Sequence, residues 1–154
     1  MTDFEKTTSD ELRNSIEKLR KAADHLRRSM RLIENAQIDW RWPSEEQMDI
    51  LEAFSSRYAR LSDIVLKKVF RLLDEIEQTE EGTMIDVANR AEKRGLIDSA
   101  SEFRRMRKLR NEISHEYALT ELPEIVRQLI EFTPALLDSV ERTAKYREGL
   151  YLKL

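Results

Sequence analysis

The chain has 154 residues, the size of one ordinary domain, and its 40% hydrophobic and 37% charged residues leave only three Gly and three Pro, too few for the many tight turns of a β protein. It has no Cys, which excludes disulfides, thiolate metal sites and cysteine nucleophiles. There is no basic-then-apolar leader and no apolar run near the ~18 to 20 residues of a membrane span, so the expected setting is the cytoplasm, with no membrane partner.

Leu12, Ile16, Leu19, Ala23, Leu26, Met30 and Ile33 recur at spacings of three and four, predicting an amphipathic first helix over 9 to 37. Trp40, Trp42 and Pro43 break the pattern, and Ser44 is placed to cap the next helix. Met48, Leu51, Tyr58, Leu61, Val65, Val69, Leu72 and Ile76 predict that helix as one long element over 45 to 78. A polar turn containing Gly82 leads to a short helix over 84 to 94, with Gly95 placed to end it. Ser99 and Glu102 stand at capping-box spacing and open a helix over 99 to 117. Ile125, Leu129, Thr133, Leu136, Val140 and Ala144 keep one face through Pro134, predicting a kinked last helix over 122 to 147 and a frayed tail over 148 to 154. The expected fold is a single all-α domain, an antiparallel bundle of four long helices plus one short.

Charge is unevenly spread. Between Arg90 and Arg110 eight Lys or Arg stand against Glu92, Asp98 and Glu102, a local +5 in a chain whose total is −3. An acidic body carrying one basic segment still concentrates a polyanion locally, although a solvated helix face has the same composition.

The 99 to 117 helix ends in LRNEISHEY, residues 109 to 117, which hold one of only two histidines. On a helical wheel centred on Arg110, Phe103, Met106, Ile113 and Tyr117 fall within roughly 60° of it, and Arg104, Arg107, Asn111 and His115 fall between roughly 60° and 140°. Arg110 sits at the edge of the apolar stripe, where its stem lies on hydrophobic surface and its guanidinium is expected to reach the polar cluster. An imidazole that titrates near neutrality, a guanidinium fork suited to phosphate and an orienting amide are the parts required for metal-free cleavage of RNA, whose 2′-hydroxyl is the nucleophile. Such cleavage uses a base and an acid, and a two-fold dimer would bring two copies of His115 together.

Other readings fit the same letters. A histidine near a helix C-terminus also serves the helix dipole, and the Tyr117 ring, in line with the apolar stripe, also serves packing. Glu112 and His115 form the Glu-x-x-His pair of di-iron bundles. However, His25 follows Ala22 at the matching spacing, so no second pair exists, and no metal is expected. His25 reads as an ordinary surface or seam residue.

Arg110, Asn111, His115 and Tyr117, written R-N-x-x-x-H-x-Y, resemble the R-x4-H-x-Y signature of the HEPN superfamily and, within it, the HepT-like toxins paired with minimal nucleotidyltransferases. The resemblance implies a homodimeric, metal-independent endoribonuclease that uses no cofactor. Arg110 would bind phosphate and stabilise charge, His115 would transfer protons and Asn111 would orient. Tyr117 matches the tyrosine that the nucleotidyltransferase antitoxin modifies with AMP. Arg104, Arg107 and Lys108, from the same basic helix, are the expected RNA-binding side chains. Without catalysis, the resemblance implies a HEPN module that binds nucleotide or substrate for such a transferase. A plain helical adaptor is the third reading.

Overall fold

The computed structural model describes residues 2–77, 82–114 and 121–152. These are all-helical, with no strand among them. In chain order they form α1 (Asp3–Ala36), α2 (Glu45–Asp63), a π-helical segment (Ile64–Val69), α3 (Phe70–Ile76), α4 (Met84–Lys93), α5 (Ala100–Ser114) and α6 (Leu122–Leu152).

Helix α1 begins six residues before the predicted start at 9. Thr2 caps it: its hydroxyl accepts the Glu5 N–H at 3.2 Å, and the Glu5 carboxylate accepts the Thr2 N–H at 2.7 Å. This reciprocal box satisfies two otherwise orphaned donors. Apolar spacing missed the extra turns because their one large apolar residue, Phe4, is 70% exposed. At the other end Gln37 takes the left-handed conformation, φ 50°. The following loop wraps around Asp39, whose Oδ1 accepts the N–H groups of Arg41 and Trp42. Trp40 is held under the Arg127 guanidinium of α6, 5.2 Å from its ring centre.

The predicted helix over 45 to 78 is observed as α2 and α3 joined through six π-helical residues. Ser44 caps its start as expected, in a reciprocal box with Gln47. The interruption has a packing reason. Leu61, Val65 and Val69 are four residues apart and all fully buried, whereas each four-residue step in an α-helix drifts about 40° around the axis. The wider π turn, bonded i to i+5, keeps such residues nearer one face.

The core runs through these elements. Leu19 and Leu26 of α1, Phe54 and Tyr58 of α2, Phe103 and Met106 of α5, and Leu129 and Leu136 of α6 are fully buried. The Phe70 and Phe103 rings stack at 6.0 Å and tie α3 to α5.

Helix α4 ends as predicted at Gly95, whose φ is 74°. Leu96 N–H bonds to Ala91 O, and Gly95 N–H to Glu92 O, the pair of bonds that defines a Schellman cap. A Cβ added at Gly95 meets nothing within 4 Å, so Gly95→Ala is penalised only through its backbone conformation. We expect a loss of about 1 kcal/mol in urea unfolding, and a neutral result would disprove the strained-cap argument.

Ser99 caps α5 by accepting the Glu102 N–H at 3.1 Å. The Glu102 carboxylate reaches one residue further back than expected, to the Asp98 N–H at 2.7 Å. Helix α5 is described to Ser114, so the rest of the predicted 99 to 117 helix lies outside the described residues.

Helix α6 passes through Pro134 without ending and continues to Leu152, so residues 148 to 152 are helical where a frayed tail was expected. Helix α1 supplies a neighbour, with Arg20 3.6 Å from Glu148. This exposed pair marks proximity more than it adds stability.

Candidate functional site

Helix α5 presents two faces. Phe103 and Met106 are buried, Leu109 and Ile113 are half-buried, and Arg104, Arg105, Lys108 and Asn111 are exposed, with Arg107 half-buried between them. The wheel therefore gives the correct inward side, and Asn111 lies on the open side with Arg104 and Arg107. His115 and Tyr117 lie outside the described residues, immediately beyond the point where α5 delivers the chain.

The basic stretch 90 to 110 does not act as one patch. Arg90 Nη1 is 3.2 Å from Asp74 Oδ2, and Arg94 Nη1 is 2.6 Å from Asp74 Oδ1. Arg94 also meets Glu77 at 2.9 Å, and the Tyr146 hydroxyl donates to the same Glu77. These two arginines fasten α4 to α3 and, through Tyr146, to α6. By contrast, Arg104, Arg105, Arg107 and Lys108 make no ion pair among the described residues. Four of the eight cations of the stretch thus stand on the outer arc of α5 without an ion pair among the described residues, while Lys93 is exposed on α4.

Arg110 also has a partner on α2. Its Nε and Nη2 donate to the two carboxylate oxygens of Asp63, at 2.8 and 2.9 Å. The pair is partly sheltered, with the side chains 21% and 34% exposed. Asp63 is the last residue of α2, beside the π segment, and Lys67 one turn on approaches it at 3.5 Å. Nothing in the sequence marks it as a partner, because it precedes Arg110 by 47 residues.

Partial burial acts to raise the Asp63 carboxyl, but the hydrogen bonds and charges of Arg110 and Lys67 outweigh it and hold the group below the ordinary carboxylate range. The hydrogen bond to Asp63 likewise outweighs burial at Arg110 and holds its guanidinium above its usual value. A carboxyl lowered on folding adds stability that is complete above its unfolded pKa, about 3.9, and is lost as pH falls through the lower folded value. The native protein should therefore lose stability more steeply below about pH 4 than Asp63→Asn. Superimposable acid limbs in denaturant titrations from pH 6 to about 2 would show that the ion pair makes no such contribution.

Between α5 and α6 lies a cleft of about 420 Å³ that sequence reasoning did not anticipate. Leu109 and Phe132 form its apolar wall, and Arg105, Lys108, Glu112, Gln128 and Glu131 surround it. Glu112, considered above as half of a Glu-x-x-His pair, belongs to this cleft. Among the described residues no three His, Asp or Glu side chains gather as a possible metal site, and no helix is long and apolar enough to cross a membrane.

No family model, curated protein or solved structure matches the chain.

Proposed function

We propose that the protein is a metal-independent endoribonuclease of HEPN type that acts as a two-fold dimer and is neutralised by a minimal nucleotidyltransferase. The observation that carries this reading is the outer arc of α5. Four cationic side chains without ion-pair partners among the described residues, Arg104, Arg105, Arg107 and Lys108, occupy the helix that leads into R-N-x-x-x-H-x-Y. In this reading the helices form an antiparallel bundle of four long members and one short one, and the arc holds RNA phosphates by charge.

Chemistry follows from the motif. His115 of one subunit takes the proton of the 2′-hydroxyl, whose oxygen attacks the adjacent phosphorus. The 5′-oxygen departs with a proton supplied by the second subunit's copy of the same histidine, leaving a cyclic phosphate and a free 5′-hydroxyl. Arg110 stabilises the charge growing on the phosphoryl oxygens. While its Nε and Nη2 are held by Asp63, phosphate must approach another part of the guanidinium. Asn111, exposed beside the arc, orients substrate or imidazole. AMP on Tyr117 would add bulk and negative charge at the entry to the groove and so silence it.

Digestion of single-stranded RNA in excess chelator is the test. The native protein should leave cyclic phosphate ends and spare DNA, and His115→Ala should cut RNA about 10²- to 10⁴-fold more slowly. A native protein that binds nucleotide but leaves RNA whole would replace this reading with the non-catalytic binding module.

A further inference from the structure

Accepting the RNA reading above, we infer that the α5–α6 cleft is a nucleobase subsite that favours bases carrying an exocyclic amino group over uracil. Its volume, about 420 Å³, is in the range of small-ligand clefts, roughly 300 to 1,000 Å³. Its wall is apolar and partly aromatic, with Leu109 and Phe132 half-buried. Two cations, Arg105 and Lys108, and two carboxylates, Glu112 and Glu131, share the rim, yet none of the four forms an ion pair among the described residues.

A ligand that matches this lining needs a planar face for Phe132, negative charge for Arg105 and Lys108, and hydrogen-bond donors for the carboxylates. A nucleotide within a strand offers all three. Inorganic phosphate lacks the face and the donors.

Selectivity follows from the inventory of donors and acceptors. An ionised carboxylate only accepts. Cytosine, adenine and guanine each present an exocyclic amino group, whereas the corresponding edge of uracil presents a carbonyl oxygen that a carboxylate repels. Placement supports continuity with the arc. From Arg110 at 0°, Arg107 and Arg104 lie near 60° and 120°, and Lys108 and Arg105 follow at roughly 160° and 220°. A strand crossing the outer face of α5 thus reaches the cleft after passing the arc.

The test compares fluorescently labelled 2′-O-methyl oligomers of about ten nucleotides, all-cytidine against all-uridine, whose blocked hydroxyl prevents cleavage. Anisotropy titrations with the full chain at one salt concentration should show the cytidine oligomer binding at least ~5-fold more tightly, the scale of one discriminating base contact. Glu131→Gln, at an exposed position, should bring that ratio close to one. Phe132→Leu, which keeps an apolar side chain, should weaken the cytidine oligomer about tenfold by removing the stacking surface. Arg104→Gln with Arg107→Gln should weaken both oligomers alike.

Equal binding of the two oligomers, unchanged by Glu131→Gln while the double arginine variant weakens both, would overturn the subsite and leave the RNA reading standing. A separate arm follows the Phe132 ring signals by NMR with CMP, UMP and inorganic phosphate. If neither oligomer binds but CMP alone shifts the ring, the subsite stands and the RNA reading falls. If phosphate reproduces the CMP shift, the cleft is an anion site and the base subsite is overturned.

Discussion

Replacing Arg94 with methionine should destabilise the fold by about 3 kcal/mol, the lower end of the range for breaking a buried ion pair. The reason lies in what remains. Asp74 is 7% exposed and relies on Arg90 and Arg94, and the Arg94 side chain is itself only 8% exposed. Burial alone would lower the Arg94 pKa, but hydrogen bonds to Asp74 and Glu77 outweigh it and hold the guanidinium firmly charged. Methionine preserves most of the stem and removes the charge, so Asp74 is left with the single, longer contact to Arg90 at 3.2 Å. The penalty is that of a poorly compensated buried carboxylate, so removing it should restore stability. Asp74→Leu combined with Arg94→Met should recover most of the loss. Urea unfolding of the two single variants and the double variant measures this, and additive losses would refute it.

His115→Ala should lower RNA cleavage by about 10²- to 10⁴-fold, the usual contribution of a positioned acid or base, while leaving the melting temperature unchanged. Arg110→Ala should fail in both respects. It removes the partner that Asp63 contacts at 2.8 and 2.9 Å, so it should lose about 1 kcal/mol of stability in addition to activity, a modest figure because the pair is only partly sheltered. Arg110→Lys keeps the charge but not the two-point fork, and should recover little of either. A double-mutant cycle between Asp63→Ala and Arg110→Ala isolates the stability coupling. Loss of fold in Arg110→Ala is therefore uninformative about catalysis, and His115 is the discriminating position. If His115→Ala melted early and cut RNA at the native rate, the catalytic assignment would be wrong.

Local chemistry was readable from the residue order. Ser44 with Gln47, Gly95 with the turn before it, and Ser99 with Glu102 act across three to five residues, so their identity and spacing contain the whole interaction. The same holds for the inward face of α5, because Phe103 and Met106 recur at helical spacing. Two local features escaped for specific reasons. The start of α1 lay in a Thr-x-x-Glu box that contains the exposed Phe4, and the π segment retained an apolar repeat that an ordinary helix also produces.

What the sequence determined by itself is an all-helical chain, its principal caps, and the face of α5 on which the cations stand beside the motif. Tertiary structure alone decided which arginines are available. Arg90, Arg94 and Arg110 look like Arg104 and Arg107 in the sequence, but packing places Asp74, Glu77 or Asp63 against them from 16 to 47 residues away. A guanidinium responds to the nearest carboxylate in space, and helix packing sets that distance. The α5–α6 cleft arose in the same way, from two surfaces whose common boundary neither helix encodes alone.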